Sequence, residues 1–213
     1  MYKYVLFDLD GTLTDPAEGI TNSVAYALKK NGIEVADKRE LYSFIGPPLS
    51  ESFSKYYGFS TEKSLECVAQ YREYFSEKGI FENKLYDGVS NLLEKLKNSG
   101  IKIFLATSKP EKYAKIILDH FDLTKYFDFV AGASMDESRN KKGDVIRFAI
   151  ESGRIENTCE AVMVGDRLHD CIGARECGID CIGVLYGYGD RAELEGAGAK
   201  YIAEKVEDIL QFV

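Results

Sequence analysis

The sequence predicts an α/β protein whose core is a doubly wound, Rossmann-like parallel sheet, with a helical cap domain inserted into it. Short apolar segments bounded by Gly, Asp or Thr alternate with amphipathic helical patterns over most of the chain. Strands buried on both faces have this apolar character, and their alternation with helices is typical of right-handed crossovers. The interval 16–83 breaks the alternation, because it contains helical patterns and no convincing strand.

Five segments have the length and composition expected of buried strands. They are Tyr4–Asp8, Lys102–Ala106, Phe127–Ala131, Ala161–Val164 and Cys181–Val184. Apolar residues recur at helical spacing between them, as in 89–96 and 145–149. We therefore assign residues 1–15 and 84–213 to the core domain that contains the sheet.

The interval after the first strand has the features of a separate helical domain, and we assign residues 16–83 to this cap. Helical patterns cover 20–31 and a longer stretch from Leu65 to Phe75. We expect the apolar and aromatic residues of the longer stretch to form the buried face of a helix. The two connections to the core are expected near 14–19 and 81–87.

The composition is that of a globular protein with an acidic balance. The 213 residues include 35 acidic and 27 basic side chains, which gives a formal net charge of −8. This charge argues against a broad basic surface for nucleic acids, and no apolar run is long enough to span a membrane. Five cysteines without a Cys-x-x-Cys pair argue against zinc and favour free, buried thiols in a reducing, cytoplasmic compartment. No pattern in the sequence indicates an oligomeric state.

Polar side chains follow the carboxyl ends of three predicted strands, which is where ligands bind in open parallel sheets. They are Asp8, Asp10, Thr107, Ser108, Lys109, Asp166 and Asp170. Each could cap a turn or a helix, and any one alone would favour that structural role. Together, four carboxylates would raise one another's pKa unless a cation were bound. A hard divalent ion such as Mg²⁺, which takes a few carboxylates plus water and phosphate, fits this set.

Four segments, in order along the chain, resemble the motifs of the haloacid dehalogenase (HAD) superfamily of phosphohydrolases. The first is DLDGTLTD at residues 8–15, and a hydroxyl residue at 107 or 108, a lysine at 141 or 142 and GDxxxD at 165–170 follow it. The resemblance covers essentially the whole chain, and the insertion resembles that of the subclass with a helical cap after the first strand. The stretches 165–170 and 183–189 are similar to those of the phosphoglycolate phosphatase and nucleotidase branch.

The resemblance implies a magnesium-dependent phosphatase that hydrolyses small phosphorylated metabolites through an aspartyl-phosphate intermediate. Asp8 would be the nucleophile, and Asp10 would protonate the leaving oxygen and then deprotonate the attacking water. Mg²⁺ would be held by the side chain of Asp8, the backbone carbonyl of Asp10 and the side chain of Asp166. Asp170 would act on the metal through water.

The resemblance also implies how an acidic protein holds a phosphate. Thr107 and Ser108 would donate hydrogen bonds to the phosphate oxygens. Backbone amides at Gly11 and Thr12 would add local positive potential, together with the metal and a lysine.

Three assignments stay open in the sequence. Lys142, just before a predicted helix, is the preferred catalytic lysine, and Lys141 is the alternative. Gly46 and Pro47 belong to a stiff turn between cap helices, which either helps to select the substrate or simply connects the helices. His169 lies beside the metal motif and either contacts substrate or is an exposed residue at the start of a helix.

Two other functions use similar residues. A phosphomutase of the β-phosphoglucomutase type would share the nucleophile, metal and cap, although Thr12 after Gly11 favours hydrolases. A receiver-like signalling domain also gathers acidic residues, a hydroxyl and a lysine around Mg²⁺, but the helical insertion and Asp10 argue against it. Phosphoglycolate, nucleoside monophosphates, pyrophosphate and sugar phosphates are all open as substrates, because the fold does not encode the choice.

Overall fold

The computed structural model describes residues 1–136 and 138–213, which form two compact units. One unit contains Met1–Thr14 and Leu85–Val213, and the other contains Asp15–Lys84. Strand β1 (Tyr4–Phe7) precedes the second unit, and the two-residue strands β2 (Thr14–Asp15) and β3 (Lys84–Leu85) lie where the chain passes from one unit to the other. The second unit is therefore a single continuous insertion after the first strand.

The unit Asp15–Lys84 is helical. Its helices are α1 (Ala17–Lys30), α2 (Leu49–Tyr57) and α3 (Thr61–Tyr74), with a 3₁₀ segment at Lys38–Phe44 and a π turn at Phe75–Gly79.

The buried face of α3 differs in two residues from the predicted face, because Leu65 and Ala69 are exposed. Tyr71 and Phe75 are at most 5% exposed, as predicted, but Leu65 is 48% exposed. The buried stripe runs through Ser64 and Cys67 instead. Leu65 lies roughly 100° around the helix from Ser64, which takes its side chain off this stripe.

The other unit contains a six-stranded parallel sheet with the strand order β5-β4-β1-β6-β7-β8. Besides β1, its strands are β4 (Lys102–Pro110), β5 (Phe129–Ala133), β6 (Ala161–Gly165), β7 (Asp180–Val184) and β8 (Tyr201–Ala203). Its helices are α4 (Val89–Asn98), α5 (Glu111–His120), α6 (Lys142–Ser152), α7 (Leu168–Glu176) and α8 (Arg191–Ala197). The predicted α/β fold class with a doubly wound parallel sheet is confirmed.

Strand β1 lies between β4 and β6, and its register fixes the edge where a ligand can bind. Phe7, the last residue of β1, is paired with Leu105 of β4 and with Val164 of β6, so the residues just beyond these three positions lie at the same edge of the sheet. The chain order reverses on the two sides of β1, and open α/β sheets bind ligands at such a switch point. The residues that follow these three strands therefore face one crevice.

All five predicted strands are present, with shifted ends. Strand β1 ends at Phe7, one residue before Asp8, and β4 continues to Pro110 through an irregular register between Thr107 and Pro110. Strand β5 begins at Phe129 instead of Phe127. Strand β8 is not among the predicted strands, because three residues are too few to show a recognisable apolar strand pattern.

Two expectations from composition can be compared with the structure. Cys67, Cys171 and Cys181 are buried, but Cys159 is exposed and Cys177 is half-buried, so the expectation that the thiols are all buried was wrong. All five are free. Within the described ranges, no helix has both the length and the apolar character that a membrane span needs.

Candidate active site

Asp8 is the first residue after β1 and is held at the centre of the crevice. Its backbone N–H donates to the carbonyl of Val164 at 2.9 Å, which extends the contact between β1 and β6 by one residue. Its Oδ1 accepts a hydrogen bond from the N–H of Leu9 at 2.7 Å. The residue is 7% exposed, so the direction of its carboxylate is set by the protein and not by solvent.

Asp166 and Asp170 follow β6 and are nearly inaccessible, at 1% and 0% exposure. Asp166 Oδ2 accepts from the N–H of Tyr188 at 2.9 Å, and Oδ1 accepts from the hydroxyl of Thr12 at 3.3 Å. Asp170 lies in the first turn of α7, where its Oδ2 accepts from the N–H of Arg167 at 3.0 Å. Backbone amides thus orient both carboxylates.

Asp8, Asp166 and Asp170 form the group in the described chain that could hold a metal ion. Each offers a carboxylate oxygen, and these oxygens lie within 4.8 Å of one another. Asp170 belongs to this group, and the contact through water that the resemblance implies for it stays a prediction. Three carboxylates with the ammonium of Lys142 leave two uncompensated negative charges, and an all-oxygen donor set of this charge fits a hard divalent ion.

The pKa shifts follow from burial and from the closeness of the acids. Burial raises the pKa of Asp166 well above its usual range, and the charges of Asp170 and Asp8 raise it further. Burial also raises the pKa of Asp170, to about 6, although Lys142 opposes the shift. Burial would lower the pKa of Lys142, but the charges of Asp170 and Asp8 outweigh it and the pKa is raised. A bound cation would relieve the repulsion among the acids.

Lys142, the first residue of α6, contacts two of the three acids. Its Nζ lies 2.9 Å from Asp8 Oδ1 and 2.8 Å from Asp170 Oδ1, and it donates to the carbonyl of Ala106 at 2.9 Å. Lys141 precedes the helix and is exposed. Of the two lysines left open by the sequence, the structure brings Lys142 to the acidic group.

A close approach of α6 to α7 makes this contact possible. A Cβ placed on Gly173 of α7 would lie 2.9 Å from the backbone nitrogen of Gly143 in α6. That separation is below any ordinary contact, so a side chain at 173 would push the helices apart. The glycine therefore lets α6 carry Lys142 to Asp170.

Gly11 has a steric role in the first motif. Its φ is +82°, and a Cβ there would lie 2.1 Å from Oδ2 of Asp166. Glycine is the residue that adopts this backbone conformation without strain, and here it also leaves the space that Asp166 occupies.

The expected amide contacts of Gly11 and Thr12 are not available in this structure. The N–H of Gly11 donates to the carbonyl of Thr14 at 2.7 Å, and the N–H of Thr12 donates to that of Leu9 at 3.3 Å. Both amides therefore close the turn after β1 instead of facing an anion. Thr12 contributes its hydroxyl to Asp166 and its carbonyl to the hydroxyl of Tyr186 at 3.0 Å.

Thr107 and Ser108 lie at the end of β4, next to the acidic group along the sheet edge. Thr107 is 1% exposed, and its Oγ1 accepts from the N–H of Lys109 at 3.2 Å. Ser108 is half-buried.

The side chain of Lys109 then reaches Oδ2 of Asp10 at 2.5 Å. Burial raises the pKa of Asp10, and the charge of Lys109 opposes this shift. The sequence placed Lys109 at the edge but gave no reason to pair it with Asp10.

The remaining candidate residues are Gly46, Pro47 and His169. Gly46 and Pro47 belong to the unit Asp15–Lys84, where Gly46 has a φ of +102° and Pro48 precedes α2. Their role in substrate selection stays a prediction. His169 is exposed in the first turn of α7, which agrees with the simpler of its two expected roles.

Residues 5–184 match the sequence profile of the family described as haloacid dehalogenase-like hydrolase. A 5′-nucleotidase from Pseudomonas aeruginosa is 45% identical over 194 residues, which cover 91% of this chain and 87% of that protein. A tyrosine-protein kinase, PtkA, from Mycobacterium tuberculosis is 42% identical over 187 residues, which cover 88% of this chain and 63% of the kinase. A phosphoglycolate phosphatase from Vibrio parahaemolyticus is 25% identical, with 99% of this chain and 96% of that protein covered.

Solved structures show the same architecture. The crystal structure of a predicted phosphatase from Clostridium acetobutylicum superposes with a TM-score of 0.96 at 50% sequence identity. The match covers 100% of this chain and 98% of that one.

Proposed function

Since the chain belongs to the haloacid dehalogenase-like hydrolases, we propose that it is a magnesium-dependent phosphatase of small phosphorylated metabolites that forms an aspartyl-phosphate on Asp8. Relatives named 5′-nucleotidase and phosphoglycolate phosphatase, and a solved structure of a predicted phosphatase, support the proposal. The observation that carries the proposal is the convergence of Asp8 with Asp166, Asp170 and Lys142 within a buried crevice.

Asp8 is suited to be the nucleophile because its carboxylate is fixed before substrate arrives. Leu9 N–H and Lys142 Nζ both contact Oδ1, so the carboxylate cannot turn freely. A nucleophile that is already held in the attacking orientation lowers the activation free energy, because less freedom of motion is lost on reaching the transition state. Lys142 also compensates negative charge where an anionic substrate must approach an anionic nucleophile.

Asp166, Asp170 and Asp8 would hold the Mg²⁺, which when bound would neutralise charge on the phosphoryl oxygens. The protein's own part is to fix these ligands. Tyr188 N–H and Thr12 hydroxyl hold Asp166, and Arg167 N–H holds Asp170. Such supporting hydrogen bonds set the direction of each carboxylate.

Asp10 would exchange protons with the leaving oxygen and then with water. Its Oδ2 is held by Lys109, and its Oδ1 is buried without a hydrogen-bond partner among the described residues. Burial favours the protonated form, which the first step requires of a general acid. Thr107 and Ser108, at the neighbouring strand end, would donate to the phosphate.

We favour nucleoside 5′-monophosphates over phosphoglycolate as substrates, because the nucleotidase relative is 45% identical and the phosphoglycolate phosphatase relative 25%. A β-phosphoglucomutase-type mutase is the alternative, since it would use the same Asp8 and Asp10. Membership of a hydrolase family leaves the receiver-like alternative without support. The free state of all five cysteines supports a reducing, cytoplasmic location.

A phosphate-release screen tests the proposal. The purified protein is offered nucleoside monophosphates, phosphoglycolate, pyrophosphate and sugar phosphates with Mg²⁺, and Asp8→Asn is the matched control. We expect release from at least one class and a loss of roughly 10⁴-fold or more in Asp8→Asn. Sugar-phosphate isomerisation without release would favour the mutase, and full turnover by Asp8→Asn would refute the nucleophile.

A further inference from the structure

Lys109 is a buried lysine outside the nucleophile and metal group. It is 8% exposed and lies near the end of β4, where the register changes between Thr107 and Pro110. The hydrogen bond from its N–H to Thr107 Oγ1 forms part of this irregular backbone. Bulges of this kind redirect side chains at the ends of strands. Here the side chain is directed to Asp10, which follows the neighbouring strand β1.

The contact between Lys109 and Asp10 is short and shielded. Nζ lies 2.5 Å from Oδ2, and the two side chains are 5% and 13% exposed. Charge-assisted hydrogen bonds are stronger than neutral ones, and this one is little screened by solvent. It therefore restrains the carboxylate of Asp10 about its side-chain torsions.

The two oxygens of Asp10 are in different situations. Oδ2 is held by Lys109, whereas Oδ1 is buried and has no hydrogen-bond partner in the described parts of the chain. Buried carboxylate oxygens normally have a partner, and an exception calls for an explanation, of which a catalytic role is one. Anchoring one oxygen determines where the other points.

We propose that Lys109 is a positioning residue for Asp10, which anchors Oδ2 and presents Oδ1 for proton exchange with the leaving group and water. The proposal rests on the proposed function, because it takes Asp10 as the general acid and base. Lys109 does not act on the phosphate in this scheme, since Lys142 already contacts the nucleophile. The two buried lysines thus serve different carboxylates.

If Lys109 positions Asp10, the activity lost on its replacement should depend on the leaving group of the substrate. A purely structural role of Lys109 would not give this dependence. Protonation matters for an alkoxide leaving group and matters little for p-nitrophenolate. We expect Lys109→Met to lower kcat/KM, which reports the steps through departure of the leaving group, roughly 10²-fold on adenosine 5′-monophosphate and less than about tenfold on p-nitrophenyl phosphate. Lys109→Arg should recover part of the first loss. Lys115→Gln, which removes an exposed lysine paired with Glu111, is the control. Equal losses on both substrates would overturn the proposal.

A double-mutant cycle tests whether Lys109 acts through Asp10. In the Asp10→Asn background, Lys109→Met should cost less than about threefold, because the group that it positions no longer exchanges a proton. Losses that multiply would show an independent role and contradict the proposal. The double variant also removes both charges, so it avoids leaving one of them unpaired in the interior.

A crystal structure of Lys109→Met separates this inference from the proposed function. The Asp10 carboxylate should turn away from its wild-type position while Asp8 stays in place. An unmoved Asp10 would refute the positioning role whatever the enzyme's activity. Absence of phosphate release by the wild type would refute the proposed function, and the crystal structure would still decide whether Lys109 orients Asp10.

Discussion

Lys142 Nζ lies 2.9 Å from Oδ1 of Asp8, and the two side chains are 4% and 10% exposed. The contact joins the first residue of α6 to the residue that follows β1. It depends on the close approach of α6 to α7 rather than on any local sequence feature. Asp8, the proposed nucleophile, and Lys142 are thus brought together by tertiary packing.

Lys142→Met should lower kcat by roughly 10²–10³-fold, because it removes the positive charge beside Asp8, the proposed attacking carboxylate. The melting temperature should fall as well, since removing one partner of a buried ion pair leaves the other uncompensated. Lys141→Gln is the matched control and should retain nearly all activity, because Lys141 is exposed. Steady-state kinetics and thermal melts of both variants check this. A larger loss in Lys141→Gln would reverse the assignment.

Removal of metal should abolish activity, and Mg²⁺ should restore it. Ca²⁺ should substitute poorly, because its looser coordination disturbs the geometry of in-line attack. Asp166→Ala and Asp170→Asn should each raise the Mg²⁺ concentration needed for half-maximal activity by roughly 10–100-fold. The rise in melting temperature with added Mg²⁺ gives a readout independent of turnover. An unchanged titration would remove the residue concerned from the metal group.

Gly11→Ala should lose far more activity than backbone strain alone would cause, because the added Cβ would lie 2.1 Å from Asp166 Oδ2. Gly100→Ala provides the matched control, since Gly100 has a φ of +80° with nothing within 4 Å of its Cβ position. Both variants should lose about 1–2 kcal/mol of stability from a left-handed backbone. We expect Gly11→Ala alone to lose about 10²-fold or more in kcat. Similar kinetics in the two variants would show that the clash at Asp166 is relieved without effect.

The parts of the site that the sequence predicted are those set by local order along the chain. Asp8 and Asp10 follow one apolar strand, and Asp166 and Asp170 follow another, so parallel-sheet geometry alone brings them to one edge. The fold class follows from the same alternation of strands and helices.

The parts that it missed depend on contacts between distant residues or on the conformation of a turn. Lys109 and Asp10 are 99 residues apart, and their pairing depends on the irregular end of β4. The sequence predicts phosphate contacts for the amides of Gly11 and Thr12, whereas in this structure both amides donate to carbonyls within the turn. A motif thus specifies which residues are present more reliably than which of their atoms face a ligand.

Acid should destabilise the fold partly through Asp128. Burial opposes its ionisation, but Ile103 N–H and the ammonium groups of Lys97 and Lys102 outweigh that effect and lower its pKa. A lowered pKa in the folded state gives stability that is present above the unfolded pKa of about 4 and is lost progressively as pH falls from there through the lowered folded pKa. Asp128→Asn should therefore reduce stability at pH 7 by roughly 1–3 kcal/mol and have less effect near pH 3. Urea melts at the two pH values check this.

The control for Asp128 is Asp122→Asn, which removes a carboxylate that is 83% exposed and paired with Lys125. Exposed pairs contribute little, and asparagine tolerates the positive φ of 55° at this position. Its stability should change little at either pH. A loss of stability in Asp128→Asn that is the same at both pH values would mean that the charge of Asp128 is not what stabilises the fold.

The turn at Gly46–Pro48 offers a test of substrate selection by the helical unit. Two prolines fix the backbone before α2, so side chains there can contact a ligand without a large ordering cost. Replacing Pro47 and Pro48 with Ala should lower kcat/KM on the best substrate of the screen by about tenfold or more, the value of one or two lost contacts. Turnover of p-nitrophenyl phosphate should change little, because that small ester needs few contacts beyond the phosphate. Gly58→Ala, at the other end of α2 with a φ of +67°, controls for general strain in this unit. Equal losses on both esters would mean that the turn supports the fold, and no loss on either would make it a connector.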